Sequence, residues 1–138
     1  MQLSKPDNDS NPLGQPIGFP VPNWQACPIP QGIPLTGQYC SLVRLDMQHA
    51  ADLFTAYVAD QDNRIWTYLP YGPFADLASF SAWLSKQTVS TDPLFYSVLD
   101  KTRKAVGVAS YLRIDPANGV IEVGHINFSP VLQRTQAS

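Results

Sequence analysis

The chain has 138 residues, of which 44% are apolar and 14% are charged, and its formal net charge is -2. This length suits one domain or part of one. The slightly acidic balance argues against nucleic acid, because phosphate binding needs a basic face. No apolar run approaches the ~18 residues of a membrane span, and the first residues lack the apolar core of a secretory signal. The composition therefore predicts a cytoplasmic globular protein that binds neither nucleic acid nor membrane.

The two cysteines, Cys27 and Cys40, show neither metal-ligand spacing nor redox spacing. Reduced thiols are the simplest interpretation, and a disulfide between them is the alternative. No metal site is predicted.

Eight of the 13 prolines fall in the first 34 residues. Each proline fixes φ and removes a backbone donor, so residues 1–36 are predicted to form an extended arm without a regular helix or a central strand. Residues 1–15 are expected to be mobile. Residues 17–36 carry several large apolar side chains and are expected to lie against the body of the domain.

The body begins with a predicted strand over residues 39–45, and Asp46 is the expected N-cap of a helix. Apolar residues at positions 50, 53, 54, 57 and 58 follow one helix face. This helix is expected to end near residues 60–63. An aromatic segment broken by two prolines and a glycine, 64–74, leads into a second predicted helix over 75–87.

Three strands are predicted next, over residues 94–100, 105–114 and 120–128. A polar turn separates the first two, and an Asn-Gly turn at 115–119 separates the last two. The order β-α-α-β-β-β indicates an α+β class with an antiparallel meander. Residues 131–138 are predicted to be a loop that enters a helix.

Four stretches, residues 66–74, 105–111, 121–126 and 133–138, resemble the first half of the GNAT N-acetyltransferase fold. The resemblance covers residues 38–138 and is closest to the branch similar to ribosomal-protein-alanine N-acetyltransferases. It implies a domain of which residues 37–138 are the N-terminal half, a partial acyl-CoA N-acyltransferase fold ending at the start of the cofactor-loop helix.

The resemblance also implies acetyl-CoA as co-substrate. In the family, the pantetheine arm lies along the last strand, and the pyrophosphate sits on a loop at a helix N-terminus, where free N–H groups attract phosphate. Gln136 stands where the family usually has glycine, which leaves Arg134 and Thr135 as phosphate contacts. The matching positions are Asn127, Phe128, Gln133, Arg134, Thr135, Gln136, Ala137 and Ser138.

Glu122 is the predicted catalytic base, since a regular strand places it beside apolar neighbours that would raise its pKa. The alternative is a surface charge paired with Arg113 across the hairpin. His125 is expected on the opposite strand face unless a bulge intervenes, and a structural role is favoured for it.

The aromatic segment matches the family's acceptor site. Trp66, Tyr68 and Tyr71 are therefore predicted to hold the amine substrate, with a hydrophobic plug as the alternative. Asp60 and Asp62 are expected either to attract a cationic acceptor or to form a solvated helix end.

The function that this resemblance implies is acetyl-CoA-dependent N-acetyltransfer to a primary amine, on a protein N-terminus or a small molecule, by direct attack on the thioester. The alternative is a truncated, non-catalytic fragment or interaction protein. Such a chain would self-associate as a homo-oligomer through an exposed sheet edge.

Overall fold

The structure is a computed structural model that describes residues 9–138, so the first eight residues of the predicted arm lie outside it. It contains one five-stranded antiparallel sheet in the order β1-β2-β3-β4-β5, together with two α-helices. The α+β class and the antiparallel meander are confirmed. The elements are β1 (Leu35–Thr36), β2 (Ser41–Arg44), α1 (Ala50–Tyr57), α2 (Leu77–Thr88), β3 (Leu94–Leu99), β4 (Ala105–Asp115) and β5 (Val120–Phe128).

The first helix begins at the predicted cap. The Asp46 side chain accepts a hydrogen bond from the backbone N–H of Gln48 at 2.9 Å, and His49 Nδ1 accepts from the backbone N–H of Asp46 at 3.1 Å. The first turn, Met47–His49, is a 3₁₀ helix, and α1 follows it directly. The helix ends at Tyr57, before the predicted 60–63, because the N–H groups of Asp60 and Asn63 bond to the carbonyls three residues earlier and so form turns.

The second helix begins at Leu77 rather than at residue 75. Asp76 is its cap, and its carboxylate accepts a hydrogen bond from the backbone N–H of Ser79 at 2.7 Å. This bond satisfies one of the free donors at the helix start, which fixes where the helix begins.

Both helices pack on the same face of the sheet. Leu53, Phe80 and Leu84 from the helices are fully buried there, against Phe95 and Val108 of the sheet. Neither described helix is long and apolar enough to cross a bilayer. The core therefore lies between the helix pair and the sheet, and it supports the side chains that border β5.

The arm is anchored to the body at two places. Leu35–Thr36 pairs with β2 as an edge strand, and Trp24 Nε1 donates a 2.6 Å hydrogen bond to the carbonyl oxygen of Ala117 in the β4–β5 turn. Gly119 in this turn has a φ of 64°, and a Cβ there would lie 2.5 Å from the Trp24 ring. Most apolar side chains of the described arm are exposed, Phe19 and Ile33 among them.

The prediction of a helix entrance in residues 131–138 is wrong for this structure. The segment forms successive turns, in which the N–H groups of Leu132, Thr135 and Ser138 each donate to the carbonyl three residues earlier. Arg134 has a φ of 60°, which interrupts helical geometry. Leu132 is 2% exposed and packs with Val98 and Val106 in a second buried cluster, so burial of this one side chain holds the turns against the sheet.

Candidate functional site

A bulge interrupts β5 at His125. Ser110 of β4 pairs with Gly124, and Val108 of β4 pairs with Asn127. A step of two residues on β4 is therefore matched by a step of three residues on β5. The extra residue is accommodated by His125, whose φ is 47°. Bulges of this kind bend a strand and redirect a side chain.

The bulge turns the His125 ring toward the helix-covered face of the sheet. The imidazole stacks on the Tyr71 ring, with centroids 5.6 Å apart and planes 21° apart, and it contacts the core residue Phe95 at 5.3 Å. In a regular strand His125 would lie on the opposite face from Gly124. The bulge therefore places His125 on the same face of the strand as Glu122.

The two histidines of the chain have different surroundings. His49 is 8% exposed, and its Nδ1 is occupied by the backbone N–H of Asp46 and by Ser97 Oγ at 2.9 Å. His125 is partly exposed and makes no side-chain hydrogen bond within residues 9–138. Partial burial lowers the pKa of His125, and the nearby Glu122 carboxylate opposes this effect. Burial thus favours the neutral imidazole, whose nitrogen atoms have no hydrogen-bond partner among the described residues.

An aromatic wall faces the bulge. Tyr71 packs on Trp83 with centroids 4.5 Å apart, and on the other side it stacks on His125. The Tyr71 hydroxyl is buried and has no hydrogen-bond partner among the described residues. Burial also raises the pKa of this phenol well above its usual value. The ring that stacks on the imidazole thus carries a neutral hydroxyl without a described partner.

The three predicted substrate residues lie in different environments. Trp66 is 7% exposed and packs edge-on against Tyr57 and Phe74, which is the hydrophobic-plug arrangement. Tyr68 is 97% exposed. Trp66 also packs edge-on against Tyr71, with ring centroids 6.3 Å apart. The structure therefore brings Trp66 and Tyr71 together and leaves Tyr68 apart from them.

The predicted desolvation of Glu122 is wrong. Its Oε2 lies 2.7 Å from Arg113 Nη1, and the two side chains are 45% and 76% exposed. This is the cross-hairpin ion pair considered as the alternative. The cause is the position of β5 at the edge of the described sheet, where the carboxylate reaches solvent.

Unpartnered polar atoms mark the end of β5. Asn127 is 2% exposed, and neither its Nδ2 nor its Oδ1 has a partner among the described residues. Ser129 Oγ is likewise buried without a partner, and the Tyr57 hydroxyl donates to the Asn127 carbonyl oxygen at 3.1 Å. Buried polar atoms without partners are rare, so a cluster of them indicates a place where a ligand supplies hydrogen bonds.

The predicted phosphate-loop residues are partly engaged with one another. Gln133 Nε2 donates to the carbonyl oxygen of Phe128 at 2.7 Å, and Thr135 Oγ1 and Ser138 Oγ donate to backbone carbonyls within the turns. Phe128 and Ala137 pack at the second buried cluster. The side chains of Arg134 and Gln136 are exposed.

An open groove of about 570 Å³ lies between these turns and the loop after α1. Gln133 lines one wall, and Asp60 and Asp62 line the other. Asp62 pairs with Arg64 at 2.7 Å, and Asp60 accepts a hydrogen bond from the backbone N–H of Ile65. Within residues 9–138 no three histidine, cysteine or carboxylate side chains are grouped as metal ligands would be.

The sequence predicted Asn127 as a cofactor contact but did not place His125 on the same face beside it. The bulge that unites them depends on pairing with β4. The only local signal was the polar residue type within an otherwise apolar strand.

Solved structures resemble this chain over most of its length. A GCN5-related N-acetyltransferase from Brucella melitensis is 39% identical with a TM-score of 0.81, and the match covers 85% of this chain and 54% of that one. A probable acetyltransferase of the GNAT family from Chromobacterium violaceum ATCC 12472 is 34% identical with a TM-score of 0.76, covering 88% and 62%. An acetyltransferase of the GNAT family from Bacillus anthracis is 14% identical with a TM-score of 0.58, covering 75% and 57%, and shows the fold alone.

The chain thus spans 54% and 62% of the length of the first two structures. No protein-family model matches the chain, and no curated protein matches it in sequence. The sheet of five antiparallel strands with two helices on one face matches the GNAT acyl-CoA N-acyltransferase fold.

Proposed function

We propose that this chain carries out acetyl-CoA-dependent N-acetyltransfer to a primary amine. The observation that carries the proposal is the likeness, at 39% and 34% identity, to two proteins described as GNAT acetyltransferases. The amine attacks the thioester directly, without a covalent enzyme intermediate. Residues 37–138 act as the N-terminal half of the domain.

The end of β5 is the proposed place for the pantetheine arm. Amide groups of that arm need donors and acceptors, and Asn127 offers both as buried atoms without a partner. The arm would run along the edge of β5 at Asn127 and Phe128. These observations support the fit of this part of acetyl-CoA.

The turns after β5 are the proposed place for the pyrophosphate. The exposed guanidinium of Arg134 is suited to phosphate, because its fork of donors matches phosphate oxygens. Gln133, Thr135, Gln136, Ala137 and Ser138 complete the proposed loop. The N–H groups of Thr135 and Ser138 are engaged in the turns, so phosphate contact through them requires the turns to rearrange.

The proposed acceptor is an α-amino group, as on a protein N-terminus. An α-amine has a pKa near 7.8, so its neutral form costs about 1.1 kcal/mol at pH 7, whereas a lysine amine costs about 4.6 kcal/mol. Asp60 in the open groove supports a cationic acceptor, whereas Asp62 is paired with Arg64, which lines the same groove. Tyr71 on the aromatic wall is proposed to contact the acceptor. Trp66 and Tyr68 are further predicted contacts of the acceptor.

Glu122 stays a prediction as the catalytic base. It lies on the same face of β5 as His125, but its side chain is 45% exposed and paired with Arg113. The desolvated environment that the prediction required is therefore not present around it.

A thermal-shift titration with acetyl-CoA tests the proposal. Ligand at 100 times its Kd stabilises the folded state by about 2.7 kcal/mol. Arg134→Gln is expected to weaken the shift, and Arg103→Gln is the matched control, because Arg103 is also exposed with a positive φ of 69° but lies in the β3–β4 turn. Absence of a shift at millimolar acetyl-CoA, or equal effects of the two variants, contradicts the proposed site.

A second candidate function is self-association through β5. The strand lies at the edge of the described sheet, and its apolar side chains Val120, Ile121, Val123 and Ile126 are 46–58% exposed. Unpaired edges of this kind favour pairing with another chain. Light scattering tests it: a dimer that resists dilution supports the idea, and a monomer at high concentration removes it.

A further inference from the structure

We propose that His125, rather than Glu122, accepts the proton from the attacking amine. This inference rests on the proposed acetyltransfer. It assigns a catalytic role to a residue for which the sequence favoured a structural one.

The β5 bulge supplies the first argument. It places the imidazole on the helix-covered face, between Gly124 and the buried Asn127 side chain. Asn127, two residues along the strand, and Tyr71, which stacks on the imidazole, each carry a buried polar atom without a partner among the described residues. A reacting group that reaches the imidazole would therefore enter a region that offers unused hydrogen-bonding groups.

The aromatic contacts supply the second argument. Tyr71 stacks on the imidazole, and Phe95 packs against it at a 45° tilt. These contacts restrict the ring faces and leave the ring nitrogens, which lie on the edge, free for proton transfer. The other histidine, His49, is buried with its Nδ1 engaged by Ser97 and by the backbone, so it is not available for this role.

The charges around the ring supply the third argument. On β5 the facing charge is Glu122, which is itself paired with Arg113 of β4. The aromatic wall contributes the neutral Tyr71 hydroxyl, α2 contributes Trp83, and β3 contributes Phe95. Burial among these rings favours the neutral imidazole, which is the form that accepts a proton.

The step balances as follows. The amine nitrogen forms a bond to the acetyl carbonyl carbon, and the carbon–sulfur bond breaks with its electron pair on sulfur. One amine proton passes to the imidazole of His125, and the resulting imidazolium releases a proton to the thiolate or to water. The products are the acetylated amine and coenzyme A.

The test measures acetyl transfer from acetyl-CoA to a short peptide with a free α-amine, from pH 6 to pH 9. His125→Asn is the main variant, because asparagine accepts the positive φ of this position. We expect kcat/KM to fall on the order of 10²-fold at pH 7. The deficit shrinks as the pH rises past the amine pKa, since the neutral amine then forms without help. Glu122→Gln removes the rival candidate base and is expected to lower the rate only a few-fold.

Chemical rescue separates base catalysis from a structural role. His125→Gly opens the position without backbone strain, and added imidazole is expected to restore part of its activity but none of the small loss in Glu122→Gln. If transfer occurs and His125→Asn stays within twofold of the original chain, or if Glu122→Gln shows the larger loss, the inference is overturned while the proposed function stands.

A binding readout is independent of turnover. Acetyl-CoA is expected to shift the imidazole NMR signals of His125 and to leave those of His49 unchanged. A shift of neither signal despite binding overturns the role of His125. If acetyl-CoA neither binds nor is consumed by the original chain, the proposed function fails, and this inference fails with it.

Discussion

The Tyr71 hydroxyl provides a test in which stability and function change in opposite directions. The hydroxyl is buried without a partner among the described residues. A buried polar group in this condition costs about 1–3 kcal/mol. Tyr71→Phe removes the hydroxyl and keeps the ring that stacks on His125 and Trp83. We therefore expect the variant without ligand to be more stable than the original chain.

The size of the effect follows from chain length. An unfolding entropy of roughly 2.1 cal/mol/K per residue gives roughly 0.29 kcal/mol/K for 138 residues. A gain of about 1–3 kcal/mol then raises Tm by about 3–10 °C. If the hydroxyl contacts a ligand, the same variant shows a smaller thermal shift on addition of acetyl-CoA or of an amine acceptor.

Thermal and urea unfolding followed by circular dichroism measure the change. Tyr68→Phe is the matched control, because this ring is 97% exposed and loss of its hydroxyl is expected to change stability by less than about 0.5 kcal/mol. If Tyr71→Phe is less stable than the original chain, or indistinguishable from Tyr68→Phe, the hydroxyl has a partner and the reasoning fails.

Three further predictions concern the core, the arm and pH. Phe80→Ala deletes a ring that is 0% exposed and packs against four other aromatic rings; urea unfolding is expected to show a loss of about 3–5 kcal/mol, and a loss below 1 kcal/mol contradicts the core described above. Gly119→Ala places a methyl group against the Trp24 ring, at a position where Gly119 has a positive φ. The arm is therefore expected to detach from the β4–β5 turn and to become sensitive to protease. Unchanged cleavage and unchanged tryptophan fluorescence would refute this. Burial lowers the pKa values of His49 and His125. Their contribution to the free energy of unfolding is therefore complete above pH ~6.5 and is lost as the pH falls through the lowered pKa values. Urea unfolding from pH 7 to pH 5 checks this direction, and a gain in stability on acidification contradicts it.

Local signals in the sequence predicted most of the fold. The β5 bounds, the cap at Asp46 and the turn before Val120 all follow from residue types within a few positions of each feature. Helix ends were less predictable. After Tyr57 the chain enters turns, in which the N–H of Asp60 donates to the Tyr57 carbonyl, and apolar spacing does not reveal this change.

The site was harder to predict than the fold. Trp66 and Tyr68 are two positions apart in a segment without regular structure, so no periodicity indicates that one is buried and the other exposed. The exposure of Glu122 and the direction of His125 both depend on how β5 pairs with β4, and a single shift in register reverses a side chain's face.

The extra residue in β5 adds one side chain to the helix-covered face without changing the register of the strand. Deletion of His125 would leave Ser110 opposite Gly124 and Val108 opposite Asn127, so the ladder would become regular and Asn127 and Phe128 would keep their faces. Ile126 would then lie opposite Ala109, and the ring that stacks on Tyr71 would be lost. A chain that lacks this one residue can therefore keep the sheet intact while it loses the imidazole.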